Sequence, residues 1–159
     1  MNMICNVKGS LMIINYRAPI KGEHHDVSMT HDDTFSQYLV GKGFVIYPTD
    51  HQLYAPIDGK VVHTFPSKHA IVIKHETGIN VLIHLGFGTV DLKGQGIHTF
   101  VEINQRIKQG DLLLTFDYDF LNRTAINMDV PVVFMQKDNL RILEVDENGE
   151  FVKMILDVM

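Results

Sequence analysis

The sequence predicts a mainly β protein, a β-sandwich or barrel-sandwich with a pseudo-duplicated motif and few short helical turns. Short apolar runs rich in β-branched residues alternate with turn-forming clusters of glycine, proline, aspartate and asparagine. Only residues 32–40 and 119–128 could be helical, each for a few turns at most. The predicted strands cover residues 11–16, 43–47, 60–65, 70–74, 79–85, 111–116, 130–135 and 151–156.

A short internal repeat in the sequence supports the predicted duplication. Residues 16–23 read YRAPIKGE, and residues 53–60, which follow 37 positions later, read LYAPIDGK. In an Ala-Pro-x-x-Gly element, the proline ends a strand where no ladder donor is needed, and the glycine turns the chain into the next strand. Two copies of this element predict a pseudo-duplicated β-sandwich.

Composition and charge narrow the class of protein. The chain has 159 residues, of which 45% are apolar and 21% charged, so we expect one globular domain over residues 1–159. The net charge of −5 argues against nucleic acid as a partner, because phosphate binding needs a basic excess. Cys5 is the only cysteine, which leaves neither an intramolecular disulfide nor a CxxC site. The longest apolar run near the start, residues 11–14, is too short to insert into a membrane, and we expect a cytoplasmic protein.

Among the nine histidines, His84 is the best candidate for a nucleophile. Alternation along the predicted strand over residues 79–85 places Asn80, Leu82 and His84 on one face and the apolar residues between them on the other. His84 thus lies near a strand end, partly desolvated, just before Gly86. A glycine carbonyl can hold one ring nitrogen as its N–H and leave the other nitrogen free to attack.

Strand pairing predicts the neighbours of His84. If residues 70–74 and 79–85 pair antiparallel through the turn at Thr77, the end that carries His84 lies beside the end that carries His69. Ser67, in the turn before His69, would join them. His75 lies about 20 Å from His69 along an extended strand and is not expected at this site. The predicted cluster therefore combines a nucleophilic imidazole, a second imidazole and a hydroxyl donor.

Metal and covalent-carrier chemistry is not supported by the sequence. No HxH or HExxH pattern occurs, which argues against the zinc peptidases built on similar sandwiches. The histidines of residues 24–26 and 31–33 stand beside aspartates and could attract a metal, but a solvated loop is the simpler interpretation. Lys68 occupies a turn like those of biotinyl or lipoyl carriers, but its order relative to the Ala-Pro element is wrong.

These residues resemble the glucose-family enzyme IIA component of the bacterial phosphoenolpyruvate:sugar phosphotransferase system. The resemblance covers about residues 16–140 and leaves residues 1–15 as an N-terminal extension or first strand. Order and spacing agree over most of that length. The matching phrases are APIKGE (18–23), VGKGFVIYPT (40–49), APIDG (55–59), KHA (68–70), VLIHLG (81–86), TVDLKGQG (89–96), IKQGD (107–111), FD (116–117) and VPVV (130–133).

The resemblance implies a phosphocarrier. His84 would be the phosphorylated histidine and His69 the second active-site histidine, while Ser67 stands where the family often has a threonine. The phosphoryl group would come from the histidine phosphocarrier HPr and pass to a cysteine of an enzyme IIB domain of a sugar permease in trans. The resemblance implies no metal or organic cofactor and no direct membrane insertion. We assign His69 as donor to the phosphoryl oxygens, Ser67 to the same network, and the Gly86 carbonyl as the group that sets the tautomer.

One departure from the family falls next to the predicted nucleophile. The family typically reads His-x-Gly-x-Asp-Thr-Val, whereas this chain has Gly88 at the position of the aspartate. In the family that carboxylate helps to dock an arginine of HPr, and an exposed rim pair of this kind is worth roughly 0.2–1 kcal/mol. Asp32 is retained as a second acidic rim residue.

A shallow apolar face is expected around the site. Phe35, Val40 and Phe87, together with Gly88 and Asp32, would form the partner-docking surface that excludes water from the labile P–N bond. Phe44 and Ile46 could contribute to the same face, but ordinary core packing is the simpler interpretation for both.

Two alternatives stay open at this point. The chain could be a diverged enzyme IIA that acts mainly as a regulatory protein-binding module, an interpretation favoured by Gly88. His69 and His84 could also hold zinc at a partner interface, provided that at least one further ligand came from elsewhere.

Overall fold

The computed structural model describes residues 3–6, 9–135, 140–145 and 151–158. Within these ranges the chain forms short β-strands, two α-helices and two 3₁₀ turns at Val27–Met29 and Thr89–Leu92. The helices are α1 (Asp33–Ser36) and α2 (Tyr118–Thr124). The strands are β1 (Met3–Asn6), β2 (Gly9–Arg17), β3 (Gly22–Asp26), β4 (Gly41–Pro48), β5 (Gln52–Tyr54), β6 (Gly59–Thr64), β7 (Ala70–Lys74), β8 (Asn80–His84), β9 (Ile97–Thr99), β10 (Arg106–Ile107), β11 (Leu112–Phe116), β12 (Val130–Met135), β13 (Leu140–Val145) and β14 (Phe151–Val158).

The described strands pair antiparallel in three sheets. A seven-stranded sheet has the order β10-β6-β7-β8-β12-β4-β3, a four-stranded sheet the order β1-β2-β14-β13, and a three-stranded sheet the order β5-β11-β9. The seven-stranded sheet carries His84 at the end of β8, and His69 directly precedes its β7 strand. The mainly β prediction is therefore confirmed.

Alternation along the strands places the core on one face of the seven-stranded sheet. Ile79, Val81, Ile83 and Leu85 are buried, as predicted, while Asn80 between them is exposed. Phe44 and Ile46 are buried in the same core cluster, so the core interpretation of these two residues is confirmed. Their removal from water is the main stabilising term for a fold of this kind.

The two copies of the repeat lie side by side and exchange equivalent hydrogen bonds. The amide of Arg17 donates to the carbonyl of Pro56 at 2.9 Å, and the amide of Tyr54 donates to the carbonyl of Pro19 at 2.7 Å. Each donor and acceptor has its counterpart 37 positions away in the other copy. This reciprocal pair relates the two copies by a local pseudo-twofold arrangement, as a duplicated motif predicts.

Both helices are shorter than the predicted helical segments, and the reason is local in each case. Asp32 caps α1, but Tyr38 adopts a positive φ of 60°, which ends the turn. α2 ends at Thr124 because the following residues pair with the loop after β8. The amide of Ile126 donates to the carbonyl of Phe87 at 2.8 Å, and Phe87 in turn forms a bridge with Asn127.

The solvated loop predicted for residues 24–26 is wrong. These residues belong to β3, the edge strand beside β4, where His24 lies opposite Ile46. The side chain of His24 hydrogen-bonds to the hydroxyl of Tyr16 at 3.0 Å, which gives a buried phenol its partner. Neither described helix is long and apolar enough to cross a membrane.

Candidate functional site

The β7–β8 hairpin sets the geometry of the predicted site. The two strands pair antiparallel with Ala70 opposite His84, and the amide of Leu85 donates to the carbonyl of His69 at 2.7 Å. His69 and His84 are thus fixed at one end of the hairpin by backbone hydrogen bonds, and the predicted pairing is confirmed.

The side chain of His69 can contact His84 because His69 lies outside the paired part of β7, where successive side chains point to alternate faces of the sheet. In a paired strand, a residue next to Ala70 would face the opposite side of the sheet from His84. His69 instead precedes the first residue of β7 and follows Lys68, which has a positive φ of 60°. The two imidazoles meet in a T-shaped contact, with ring centroids 5.1 Å apart and an interplanar angle of 75°.

Ser67 completes the predicted cluster on the far side of His69. Its Oγ lies 2.5 Å from Nδ1 of His69, and the ring of Phe65 packs against the same imidazole at 5.1 Å. This hydrogen bond engages Nδ1 of His69, so Nε2 is the ring nitrogen that can interact with a further group. The structure thus brings together His84, His69 and Ser67, as the sequence predicted.

Aromatic rings hold the imidazole of His84 in place. Phe87 stacks on it with ring centroids 4.8 Å apart and an angle of 22°, and Phe35 contacts it at 5.5 Å. Phe35 and Phe87 also pack edge to face against each other. Both belong to a small apolar cluster separate from the main core, which also contains Val27, Val40, Leu82 and Val133. The ring of His84 therefore has little freedom to rotate.

Burial makes His84 a neutral imidazole at neutral pH. Desolvation, reinforced by the neighbouring His69, lowers the pKa of His84 to about 4, while the backbone of Gly86 and the carboxylate of Asp32 act in the opposite direction. Desolvation also lowers the pKa of His69. A neutral imidazole keeps a lone pair on one nitrogen, which is the form a nucleophile needs.

The two ring nitrogens of His84 differ in accessibility. Nδ1 is buried and has no hydrogen-bond partner of ordinary geometry among the described residues. The predicted hydrogen bond to the Gly86 carbonyl is thus not formed at standard geometry, although the Gly86 backbone still favours the protonated ring. With Nδ1 enclosed, Nε2 is the nitrogen that can meet a reactant.

The loop after β8 requires glycine at position 86. Gly86 has a positive φ of 66°, and a Cβ there would lie 3.0 Å from the carbonyl oxygen of Asn127. Its amide donates to the carbonyl of Asp129 at 3.0 Å, and Thr89 Oγ1 donates to the carbonyl of Leu85 at 2.7 Å. These bonds fix the path of the chain that positions Phe87 on His84.

Gly88 also has a positive φ, of 77°, and is partly exposed. A Cβ at this position would lie 2.9 Å from Cγ1 of Ile126, whose side chain is 82% exposed. The space is limited by the exposed side chain of Ile126 and also by its backbone nitrogen, which lies 3.2 Å from the position of such a Cβ. An aspartate or asparagine tolerates this backbone region better than most residues.

The rim of the site is acidic and apolar. Asp32 lies near enough to His84 for its carboxylate to act on the ring, while its side chain also accepts the amide of Phe35 at 3.4 Å. Phe35 itself is buried, so it supports the site rather than forming exposed docking surface. The exposed apolar side chains are instead Leu39, beside Val40, and Ile126, beside Gly88, at 71% and 82%.

Sequence reasoning missed Leu39 and Ile126 as rim residues. A leucine or isoleucine in a mixed segment normally indicates core, and nothing in the local pattern shows that these two face solvent. Val90, in the 3₁₀ turn that follows Gly88, is also half exposed.

The other histidines have structural partners or lie apart from this cluster. His31 donates its amide to Asp129 Oδ2 at 2.7 Å, and its Nδ1 lies 2.8 Å from the same oxygen. In the part of the chain that the structure describes, no group of three or more His, Cys, Asp or Glu side chains could hold a metal ion. The zinc site at a partner interface stays a prediction, because it needs a ligand from outside the chain.

Comparison with known proteins agrees with this arrangement. Residues 14–140 match the sequence profile of the family described as phosphoenolpyruvate-dependent sugar phosphotransferase system, EIIA 1. The glucose-specific EIIA component of Staphylococcus epidermidis is 35% identical over 148 residues, which cover 91% of this chain and 89% of that protein.

Two further relatives extend the comparison. The glucosamine-specific EIICBA component of Bacillus subtilis is 42% identical over 116 residues, which cover 73% of this chain and 18% of that protein. The glucose permease IIA of Mycoplasma capricolum superposes with a TM-score of 0.83 at 29% identity, over 90% of this chain and 96% of that one. The chain therefore belongs to the glucose-type EIIA family of the phosphoenolpyruvate-dependent sugar phosphotransferase system and is a phosphotransferase component that acts through a phosphohistidine.

Proposed function

We propose that this chain is a cytoplasmic phosphocarrier in which Nε2 of His84 accepts a phosphoryl group from HPr and passes it to a cysteine of an enzyme IIB domain on a separate permease chain. The observation that carries the proposal is the state of His84. It is a neutral imidazole in an aromatic cage, with Nδ1 enclosed, beside a second neutral imidazole.

The chemistry needs little more than these groups. The lone pair of Nε2 attacks phosphorus as the donor's P–N bond breaks, and the electron pair of that bond stays on the donor imidazole. In the next step the thiolate of the acceptor cysteine attacks phosphorus, and the electron pair of the His84 P–N bond returns to Nε2. Positioning and stabilisation of phosphoryl charge supply most of the catalysis in such transfers.

His69 is suited to hold the phosphoryl oxygens. We assign the Ser67 hydroxyl as the donor in its contact with Nδ1 of His69, an arrangement that puts the proton of the neutral ring on Nε2. We assign that N–H as the donor to the transferring group and Ser67 as the residue that fixes the tautomer. We assign the Gly86 carbonyl to Nδ1–H of His84, a contact that would close to standard geometry when phosphorylation makes Nδ1–H more acidic.

The rim supports docking of basic, partly apolar partners. Asp32 provides negative charge beside His84, and the exposed Leu39 and Ile126 provide apolar area next to Val40 and Gly88. The names of the relatives are consistent with a sugar-uptake role: one is glucose-specific, and the B. subtilis protein combines C, B and A components in one chain. The sugar that this chain serves follows from its permease partner.

Phosphorylation in vitro tests the proposal. The protein is incubated with enzyme I, HPr and labelled phosphoenolpyruvate, and we expect acid-labile label on the wild type and on a His98→Gln control, because His98 is an exposed histidine on β9. His84→Gln should carry no label. Absence of label on the wild type even at high HPr concentration would contradict the carrier function.

Gly88 favours a second candidate, a regulatory binding module with little carrier flux. The rim at this position has no carboxylate, so association with HPr would be weakened while the His84 chemistry stayed intact. The same assay separates the two functions. A carrier passes its label rapidly to an added enzyme IIB domain, whereas a regulatory module retains it.

A further inference from the structure

A row of three cations crosses the outer face of the seven-stranded sheet at the end away from His84. Arg106 on β10 pairs directly with Lys60 on β6, and Lys60 pairs directly with Lys74 on β7. Directly paired residues of an antiparallel sheet point to the same side. All three are exposed, while their chain neighbours Val61, Ile73 and Ile107 are buried on the core side.

This cation row is an unfavourable arrangement for the isolated chain. Like charges directly opposite each other destabilise an antiparallel sheet, because they repel each other. Among the described residues, none of the three side chains makes a hydrogen bond or an ion pair. The row also stands out from a chain whose net charge is −5.

The cation row lines a groove that can hold a small ligand. The groove has a volume of about 340 Å³ and is lined by four basic side chains and two acidic ones. The two carboxylates are Asp58, which accepts the amide of Gln109 at 2.7 Å, and Glu76, so four cations and two anions leave the lining with a formal charge of +2. Lys108 is the fourth cation, next along the chain from β10.

We propose that the groove across β10, β6 and β7, lined by Arg106, Lys60 and Lys74, binds the phosphate group of a phosphorylated small molecule. Lysine ammonium and arginine guanidinium groups are the usual protein donors to phosphate oxygens. Adjacent strands are about 4.8 Å apart, so the row spans about 10 Å, which suits one phosphate and its immediate substituent. This width is too small for the many phosphate contacts on which nucleic-acid binding depends.

The groove lies on the same sheet face as His84. Lys74 pairs with Asn80, four residues before His84 on β8, which places the row about 13 Å from the His84 position along the strand. A protein docked over His84 covers about 800 Å² of surface in an ordinary complex, and a patch of that size centred on His84 extends to the groove. A phosphate held there would therefore be sensed by such a partner.

Binding is tested by backbone-amide chemical shifts of the full chain titrated with glucose 6-phosphate, with glucose as the uncharged control. We expect saturable shifts at the amides of Lys60, Lys74 and Arg106 with a Kd of about 1 mM, and none with glucose. The double variant Lys60→Gln/Lys74→Gln should bind at least about tenfold more weakly. The matched double variant Lys21→Gln/Lys93→Gln, which removes two exposed lysines elsewhere, should bind as the wild type does.

A second experiment distinguishes a free phosphate ester from a lipid headgroup as the ligand. Sedimentation with phosphatidylglycerol vesicles, compared with phosphatidylcholine vesicles, asks whether a lipid headgroup occupies the groove instead of a free phosphate ester. Vesicle binding that the Lys60→Gln/Lys74→Gln variant loses would assign the site to headgroups. No saturable shift at about 20 mM glucose 6-phosphate together with no vesicle binding would overturn the proposal, as would equal weakening by both double variants.

The folding and the carrier function of the Lys60→Gln/Lys74→Gln variant are measured separately from its ligand binding. Replacing Lys60 and Lys74 by glutamine relieves the like-charge pairs, so the variant should melt at the same temperature as the wild type or a higher one. Because neither lysine takes part in the chemistry at His84, the variant should still be labelled to completion through HPr; the extent of labelling is compared rather than its rate, because a partner docked over His84 also covers the row. A variant that is folded, labelled and still binds glucose 6-phosphate with wild-type affinity would also contradict the proposal.

Discussion

The β7–β8 hairpin carries a histidine at each end, buried at position 75 and partly buried at position 84, and the two ends differ in what surrounds the ring. His75 is 5% exposed, and its Nδ1 accepts the amide of Thr77 at 3.3 Å and lies 3.1 Å from the Thr77 hydroxyl. His84 has no such partner at Nδ1 and is held by other rings instead. Burial lowers the pKa of both.

The comparison shows that a lowered pKa does not by itself identify a nucleophile. At the turn end, the tight turn through Thr77 returns its own polar groups to His75, so Nδ1 of that ring has partners. At the open end, the chain leaves β8 through Gly86, and Phe87 folds back on the ring without supplying a hydrogen bond. What distinguishes His84 is the second imidazole beside it and the aromatic rings that hold it.

The largest expected effect comes from removing that second imidazole. His69→Ala should lower the rate of phosphoryl transfer to and from His84 about 10²- to 10³-fold, because one donor to the developing charge is lost. Rapid-quench measurement of label transfer from HPr gives this rate. His63→Ala, which removes the nearby exposed histidine on β6, is the matched control and should leave the rate nearly unchanged. Equal rates for wild type and His69→Ala would remove His69 from the mechanism.

Acid should destabilise the folded protein through these histidines. The unfolded chain binds a proton at His84 below pH 6.5, whereas the folded chain does so only near pH 4, so stability is full above pH 6.5 and falls as the pH drops towards 4. The contribution of His84 is at most about 3 kcal/mol, and His75 and His69 add in the same direction. Denaturant unfolding at several pH values should show a shallower fall in His84→Gln than in the wild type. Identical pH profiles would mean that the ring is not desolvated.

Substitution of His75, at the turn end of the hairpin, should change the stability of the fold rather than the rate of phosphoryl transfer. His75→Ala removes the acceptor of the Thr77 amide and should lower the free energy of unfolding by about 1–3 kcal/mol. The rate of labelling by HPr should stay within about twofold of the wild type, since His75 lies at the far end of the strand. A variant with normal stability but impaired labelling would break the distinction between the two ends.

The smallest expected effect concerns the rim. Gly88→Asp restores a carboxylate at a position whose φ of 77° an aspartate tolerates, provided that the Ile126 side chain shifts and its backbone nitrogen gives by a few tenths of an ångström. Association with HPr should become about two- to fivefold faster at low salt, and the gain should shrink as salt is added. Gly88→Asn has the same shape and no charge, so it should show no such gain. A similar gain in both variants would assign the effect to loop rigidity.

Much of this fold was predictable because its signals are local. Alternation of apolar residues along residues 79–85 placed His84 on the outer face, and the turn at Thr77 gave the antiparallel pairing that brings His69 beside it. The Ala-Pro-x-x-Gly echo predicted a duplication, which the reciprocal bonds at Pro19 and Pro56 display. These features depend on residue type and spacing within short segments, which a sequence shows directly.

The parts that were not predictable depend on distant contacts. The early end of α2 results from the pairing of Asn127 with Phe87, two segments far apart in the sequence. His24 lies in a strand rather than a loop because β4 supplies its ladder and Tyr16 supplies its hydrogen bond. The exposure of Leu39 and Ile126 likewise depends on which surfaces the rest of the chain leaves open.

The central claim is tested most directly by locating the phosphoryl group on the labelled protein. After phosphorylation through enzyme I and HPr, peptide mapping identifies the residue, and ³¹P NMR distinguishes phosphate on Nε2 from phosphate on Nδ1. Because Nδ1 of His84 is enclosed, we expect a single phosphohistidine, at Nε2 of His84. A phosphoryl group on Nδ1, or on any other histidine, would contradict it.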